Sequence, residues 1–275
     1  MEEFSVLMSV YHKENADYLR LSLASVFSQT RKASQLVLVK DGPLTTELEE
    51  VINEYQGKYP ELYIVPLSKN EGLSNALNIG LSHCHYDIVA RMDSDDICYK
   101  NRFELQIAEF ERQPSLDILG SFATMIDESG KEHKTMTVPL SNEDIAHKVW
   151  TCPFIHPTVV FRKERIIAVG SYNAKAGPRQ DDFDLWFRCV ASNLNCRNLG
   201  VPLLYYRFFA DNIGRNSIKV GWARFKVGIN GAIKCKCAPV AYLGVCYPLI
   251  RSLMPPKVQA YLYRISDRIN PRVQK

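Results

Sequence analysis

The chain has 275 residues, 46% hydrophobic and 23% charged, which suits one large folded domain, with or without an appendage, and excludes a disordered or fibrous protein. Its 34 Lys and Arg against 30 Asp and Glu give a net charge of +4, but the charge is unevenly spread. Lys219 to Lys275 holds 11 basic residues and one acid (Asp267), a net of +10, which leaves residues 1–218 at −6.

No apolar run approaches the roughly 18–20 residues that span a bilayer. Met1-Glu2-Glu3-Phe4 leads straight into a strand pattern, with no basic region and no small-residue cleavage site. A secretory signal is therefore not expected, and the cytoplasm is the expected compartment. The eight cysteines lack the paired spacing of a disulfide framework and read as small buried hydrophobes. Cys235-Lys236-Cys237 and His83-Cys84-His85 lack the second ligand pair that a zinc site needs.

In chain order, FSVLMSV (Phe4–Val10) is an apolar run of strand length. Asn15 is placed to cap a helix over Ala16–Ser28, whose Leu19, Leu23, Val26 and Phe27 form one stripe. A second strand, Gln35–Val39, ends in the turn Lys40-Asp41-Gly42-Pro43. A charged helix over Thr46–Gln56 and a strand over Leu62–Leu67 follow. Asn70-Glu71-Gly72 opens a helix to about Ser82, and Asp87–Arg91 makes a fourth strand. Asn101–Arg112 reads as a helix, while residues 113–150 give no clear pattern. Strands alternating with such helices predict an α/β fold, a mostly parallel central sheet flanked by helices. Ligands of these sheets sit beyond the strand carboxyl ends, which directs attention to Tyr11, His12, Asp41, Asn70–Gly72 and Asp93–Asp96.

Asp93-Ser94-Asp95-Asp96 places three acids within four residues. Such carboxylates repel unless a cation neutralises them, and oxygen-only ligands suit Mg²⁺ or Mn²⁺. A solvated acidic turn is the plainer alternative, less expected at the ligand edge of a parallel sheet. Neither a G-x-x-x-x-G-K-[ST] loop nor a G-x-G-x-x-G fingerprint is present, so phosphates must be held by metal and basic side chains.

The motifs FSVLMSVYHKENADYLRLSLASVFSQT, LVLVKDGP, KNEGLSNALNIGL, DIVARMDSDD, IHPTVVFRK and QDDFDLWFR occur in order between Phe4 and Ser217. In that order the sequence resembles the family 2 glycosyltransferases, inverting nucleotide-sugar enzymes of GT-A fold. It is most similar to bacterial enzymes that build capsule, exopolysaccharide or O-antigen repeat units. The resemblance implies that Tyr11 and Asp41 bind the nucleobase, although Asp41 beside Gly42 also reads as a turn residue. It places Asn70 and Gly72 in an N-x-G loop and Arg91 beside the nucleotide. Asp93 would face the ribose or the metal, and Asp95 would ligate the metal that bridges the diphosphate. Asp96 would assist or cap the next helix.

The second acidic group, Asp181-Asp182-Phe183-Asp184, precedes the apolar face of Leu185, Trp186, Cys189 and Val190, so it opens a helix. Helix N-termini favour carboxylates, so capping is the plainer reading for one of the three. Inversion needs a group to deprotonate the acceptor hydroxyl. In the family this is the second member of an E-D pair; here the pair is Asp181-Asp182, which assigns the base to Asp182, with Asp181 as the alternative and Asp184 structural. His156 stands where the family often keeps a His that contacts substrate or metal, though a packed core His would look the same. Arg207 and Arg215 fall where related enzymes place cations on the pyrophosphate.

Beyond the body, Cys237–Ile250 is uncharged but broken by Pro239 and Pro248. Val258, Leu262, Ile265 and Ile269 recur at helical spacing among Lys257, Arg264 and Arg268. This is a basic amphipathic helix, suited to an anionic membrane surface or to packing on the body. The expected organisation is a nucleotide-sugar transferase domain over 1–218 and a basic helical extension over 219–275. Expected partners are a nucleotide-sugar donor, which the resemblance implies is a UDP-sugar, and a saccharide or lipid-linked saccharide acceptor. Nucleic acid is not expected, because the body is acidic and carries no binding motif. A sugar nucleotidyltransferase would need a glycine-rich basic loop after the first strand, and Tyr11–Asn15 contains no glycine. A non-catalytic membrane-associated binding protein would have no use for Asp182.

Overall fold

The computed structural model describes residues 2–209, 217–255 and 258–259. The N-terminal half alternates β1 (Phe4–Val10), α1 (Ala16–Phe27), β2 (Gln35–Lys40), α2 (Thr46–Gln56), β3 (Leu62–Pro66), α3 (Leu73–His83) and β4 (Ile88–Asp93). These four strands pair in parallel, in the order β3-β2-β1-β4. Asn15 caps α1 by accepting from the Asp17 and Tyr18 N–H groups at 2.8 and 3.3 Å.

The sheet is buried on both faces, and the two-residue period of a strand divides its side chains between two cores. Phe4, Val6, Met8 and Val10 pack with Leu19 and Leu23 of α1 on one side. Leu7 of β1, Val37 and Val39 of β2 pack with Ala76, Leu77 and Leu81 of α3 on the other.

The second half supplies β5 (Ile97–Cys98), α4 (Arg102–Arg112), β6 (Ile118–Ile126), β7 (Glu132–Met136) and α5 (Asn142–His147). After these come β8 (Val160–Arg162), α6 (Lys163–Ala168), α7 (Asp181–Ala191) and β9 (Cys196–Arg207). Among the described residues they complete a nine-stranded sheet, β3-β2-β1-β4-β8-β6-β9-β5, with β7 paired to β6. β8 runs antiparallel to both β4 and β6, and β9 lies parallel to β6. Six strands thus point one way, and only β5, β7 and β8 oppose them. The unreadable stretch after Arg112 is this second half, where partners are distant in sequence.

Two helices close the described chain, α8 (Ile218–Lys234) and α9 (Pro239–Ser252). Small residues let them approach closely. A methyl group at Gly231 would fall into the ring of Phe187 on α7, and one at Gly228 would meet Val245 of α9. Phe183 is capped by the Arg224 guanidinium, 4.1 Å from the ring centre. The basic extension therefore packs on the body through α7. Among the described residues no helix is long and apolar enough to cross a membrane. The amphipathic helix expected from Val258 to Ile269 lies, beyond Gln259, outside the described residues.

Candidate active site

A cleft of about 520 Å³ opens at the carboxyl ends of β1, β2 and β4. Tyr11, Asp41, Asn70, Gly72, Asp93 and Asp95, each singled out from the sequence, line it together. Lys13, Glu14, Ser94 and Phe209 line it as well, and the sequence reading assigned none of them. The strand-end rule that selected Tyr11 and His12 would have reached Lys13 and Glu14 had it been carried two residues further.

Asp41 is buried and organises the loop before α3. Its carboxylate accepts from Asn70 Nδ2 (3.0 Å), Glu71 N–H (2.7 Å) and Gly72 N–H (3.2 Å). The loop can come this close because position 42 is glycine. Gly42 sits at φ +88°, and a Cβ there would stand 2.6 Å from the Asn70 nitrogen. Tyr11 is exposed at the mouth, and the His12 ring stands edge-on to it at 5.7 Å.

The carboxylate oxygens of Asp93, Asp95 and Asp96 lie within 4.8 Å of one another. Burial, reinforced by the Asp93 and Glu14 charges, pushes the Asp95 carboxyl up to about 7. Burial pushes Asp96 well above the usual carboxylate range as well, with Asp95 and Asp93 adding to it. Glu14, hydrogen-bonded by Ser94 Oγ at 2.5 Å, is raised mainly by burial. Asp96 does not cap α4. Its Oδ1 accepts from the Arg207 N–H at 2.8 Å, and its buried Oδ2 has no hydrogen-bond partner. A buried orphan oxygen among crowded carboxylates fits a hard divalent cation held by oxygen ligands. Asp93, Asp95 and Asp96 are the residues that could hold such an ion.

Two arginines brace this cluster. Arg91 is fully buried and pairs with Asp93, while its Nε and Nη1 have no hydrogen-bond partner. It stands behind the cleft wall. Arg207 donates from Nε to Asp95 O (2.9 Å) and from Nη1 to Asp127 O (3.0 Å) and Glu128 O (3.2 Å). Its guanidinium also covers the Tyr18 ring at 4.0 Å. In this structure it fixes the backbone of the acidic loop, a task different from the expected grip on pyrophosphate. Arg215 lies outside the described residues.

The second acidic group opens α7 as expected, and each acid there has its own donor. Asp181 accepts from Ser74 Oγ on α3. Asp182 accepts from the Phe183 N–H (2.8 Å) and from Cys152 Sγ (3.3 Å). Asp184 pairs with Arg188 Nε at 2.7 Å. The Cys152 backbone is left-handed, at φ 63°, which no sequence pattern announced. Because Ser74 follows Gly72 and Leu73 of the cleft wall, its bond to Asp181 ties α7 to the cleft.

His156 and two tyrosines lie between the acidic groups. His156 Nε2 is 2.9 Å from Tyr172 Oη, and its ring stands edge-on to Trp186 at 6.0 Å. Burial, with Arg91 nearby, holds the imidazole well below its ordinary range, so it is neutral at pH 7. Burial raises the Tyr206 hydroxyl, and Asp96, Asp93, Asp95 and Asp182 all oppose its ionisation further. One phenol therefore feels both acidic groups.

Residues 5–171 match the model of the family described as Glycosyl transferase family 2. The amylovoran biosynthesis glycosyltransferase AmsE of Erwinia amylovora is 39% identical over 267 residues, covering 94% of this chain and 97% of that one. The Escherichia coli UDP-Gal:alpha-D-GlcNAc-diphosphoundecaprenol beta-1,3-galactosyltransferase is 33% identical over 214 residues, covering 78% and 77%. The crystal structure of S. aureus TarS 1-349 in complex with UDP-GlcNAc superposes with a TM-score of 0.65 at 16% identity, covering 98% of this chain and 76% of that one. At that identity the likeness establishes the fold.

Proposed function

This chain belongs to glycosyl transferase family 2, and from that premise we propose that it moves a sugar from a UDP-sugar to a saccharide hydroxyl with inversion. The acceptor is a lipid-diphosphate-linked saccharide of surface polysaccharide assembly, used at the inner face of the cell membrane. The observation that carries this reading is the cleft lined by Asp93 and Asp95 of the acidic trio at the strand ends, with a second acidic group tied to its wall by Ser74–Asp181. Relatives support the finer points: one is named for a UDP-galactose donor and a diphosphoundecaprenol acceptor, another for amylovoran biosynthesis.

The roles follow from placement. Tyr11 offers a ring face to the nucleobase, and Asp41 fixes the Asn70–Gly72 loop against the nucleoside. Lys13 is the cation on the cleft wall available to the diphosphate. Asp93 and Asp95, with Asp96 behind, would hold Mn²⁺ or Mg²⁺, which when bound supplies Lewis-acid neutralisation of the leaving diphosphate. Arg91 holds Asp93 in place, and Arg207 holds the backbone at Asp95. Asp182 accepts the acceptor hydroxyl proton while that oxygen attacks the anomeric carbon from the face opposite the nucleotide. Asp181, tied to Ser74, keeps the first turn of α7 against α3. An α-linked donor would yield a β-linkage. His156, neutral and bonded to Tyr172, positions the floor between the two acidic groups and contacts substrate there.

The test is a panel of UDP-, GDP- and dTDP-sugars, read by release of free nucleotide with Mn²⁺ or Mg²⁺ present. Release of UDP from a UDP-sugar alone is expected, slow without acceptor and faster with one. Release of pyrophosphate from a nucleoside triphosphate and a sugar phosphate would overturn the reading in favour of nucleotidyl transfer.

A further inference from the structure

A second cleft of about 360 Å³ lies between α7, α8 and the loop at Asn173–Ala176. Lys175, Lys226 and Lys234 line it, together with Asn230 and the Asp184–Arg188 pair. Asp184 and Arg188 neutralise each other at 2.7 Å. No acidic side chain stands within ion-pair distance of the three lysines among the described residues. The cleft thus carries three uncompensated positive charges on a body whose residues 1–218 are net negative.

Lys226, Asn230 and Lys234 follow one another every four residues on α8, so a single helix face presents them. One turn earlier stands Trp222, half-exposed, its ring centre 6.0 Å from Lys226 Nζ. Apolar exposure is concentrated on the same pair of helices. Among the described residues, nine of the seventeen large exposed apolar side chains fall between Ile218 and Val258, six of them on α8 and α9. On α9, Val240, Leu243 and Ile250 form one stripe, and Leu243 is 75% exposed.

We propose that this cleft holds the diphosphate of an isoprenoid-linked saccharide acceptor, with the α9 stripe turned to the lipid. The inference rests on the reading above that the acceptor is lipid-linked. Lysines serve as point charges for phosphate, and an exposed Trp beside aliphatic side chains suits the bilayer interface. Arg188, on the cleft wall, follows Asp182 along α7 by about 9 Å of helical rise. Lys175 sits on the loop that leads into Asp181, so the acceptor's phosphates and the catalytic turn share one segment.

The full chain is sedimented with phosphatidylcholine vesicles carrying polyprenyl diphosphate, and with phosphatidylglycerol vesicles of matched charge. Inorganic pyrophosphate serves as the soluble competitor. Expected are preferential retention on the diphosphate vesicles, displacement by pyrophosphate, and a loss of roughly a hundredfold in the Lys175→Gln/Lys226→Gln/Lys234→Gln variant. UDP affinity of that variant should be unchanged, which shows that it is folded. Leu243→Glu/Ile250→Glu should lose vesicle retention and keep pyrophosphate binding. A triple variant retained like wild type, or equal wild-type retention on both vesicle types without displacement by pyrophosphate, would overturn the proposal. Turnover separates it from the reading beneath. If wild type uses a lipid-free saccharide as well as a lipid-linked one, the lipid-linked acceptor fails. If wild type prefers the lipid-linked acceptor and the triple variant keeps that preference, only the cleft assignment fails.

Discussion

Asp93-Ser94-Asp95-Asp96 and Asp181-Asp182-Phe183-Asp184 each hold three aspartates in four residues, yet the fold treats them in opposite ways. The first trio is drawn into one spot with carboxylates within 4.8 Å, burial raising two of the three. The second is distributed around the first turn of α7, each acid with its own donor from Ser74, Cys152 or Arg188. Crowding of three buried or half-buried carboxylates, one oxygen of Asp96 left without a partner, creates a demand for a cation. Separation with partners gives each carboxylate a donor of its own at a helix N-terminus, where no cation is required. What acidic residues do is decided by the donors around them.

The comparison breaks most sharply at Asp182. Asp182→Asn should lower transfer by about 10²–10⁴-fold while leaving UDP affinity unchanged, measured by nucleotide release and by titration. Full turnover in that variant would remove the distinction between the trios. Next, Asp95→Asn should abolish stabilisation by Mn²⁺ or Mg²⁺, and chelator should stop wild-type turnover; activity indifferent to metal would sink the cation reading. A third contrast needs no substrate. In metal-free protein Asp96→Asn should raise stability by about 1–3 kcal/mol, because it keeps the acceptor for Arg207 N–H and removes a buried charge. Asp184→Asn should lower it by about 1 kcal/mol, since an ion pair is lost. Denaturant midpoints decide both.

The last effect depends on pH and concerns His156, which is bonded to Tyr172. Its folded-state pKa lies well below 6.5, so below that pH the unfolded chain binds more protons than the native state. Stability then rises with pH up to about 6.5 and is flat above, with a slope of at most about 1.4 kcal/mol per pH unit. His156→Gln should flatten the fall between pH 7 and pH 5; an unchanged profile would show that the ring is protonated in the fold.

The N-terminal half was legible because its signals are local. α2 occupies Thr46–Gln56, where a charged helix is expected, and Asn15 caps α1 through bonds two and three residues away. The cleft wall was readable for the same reason, since strand ends follow directly from strands. The rest depends on distant partners. β6 pairs with β9 and β8 inserts between β4 and β6, so no short window of residues 113–180 carries the pattern. Ser74 reaches Asp181 across 107 positions, and Cys152 reaches Asp182 from a left-handed turn. Asp96 looked like a helix cap because a helix follows it, but its partner lies on β9.

The glycine contacts of α8 carry one more consequence. Phe183 and Phe187 are sealed by α8 and α9, and they belong to the helix whose first turn bears Asp182. Cutting the chain before α8 would bare both rings to water, a cost of several kcal/mol at about 25 cal/mol per Å², comparable to the whole stability of many domains. The basic extension is therefore a supporting wall of the catalytic half and cannot be shed as a detachable handle. Any change written into the packing face of α8 is also written into the footing of the turn that bears Asp182.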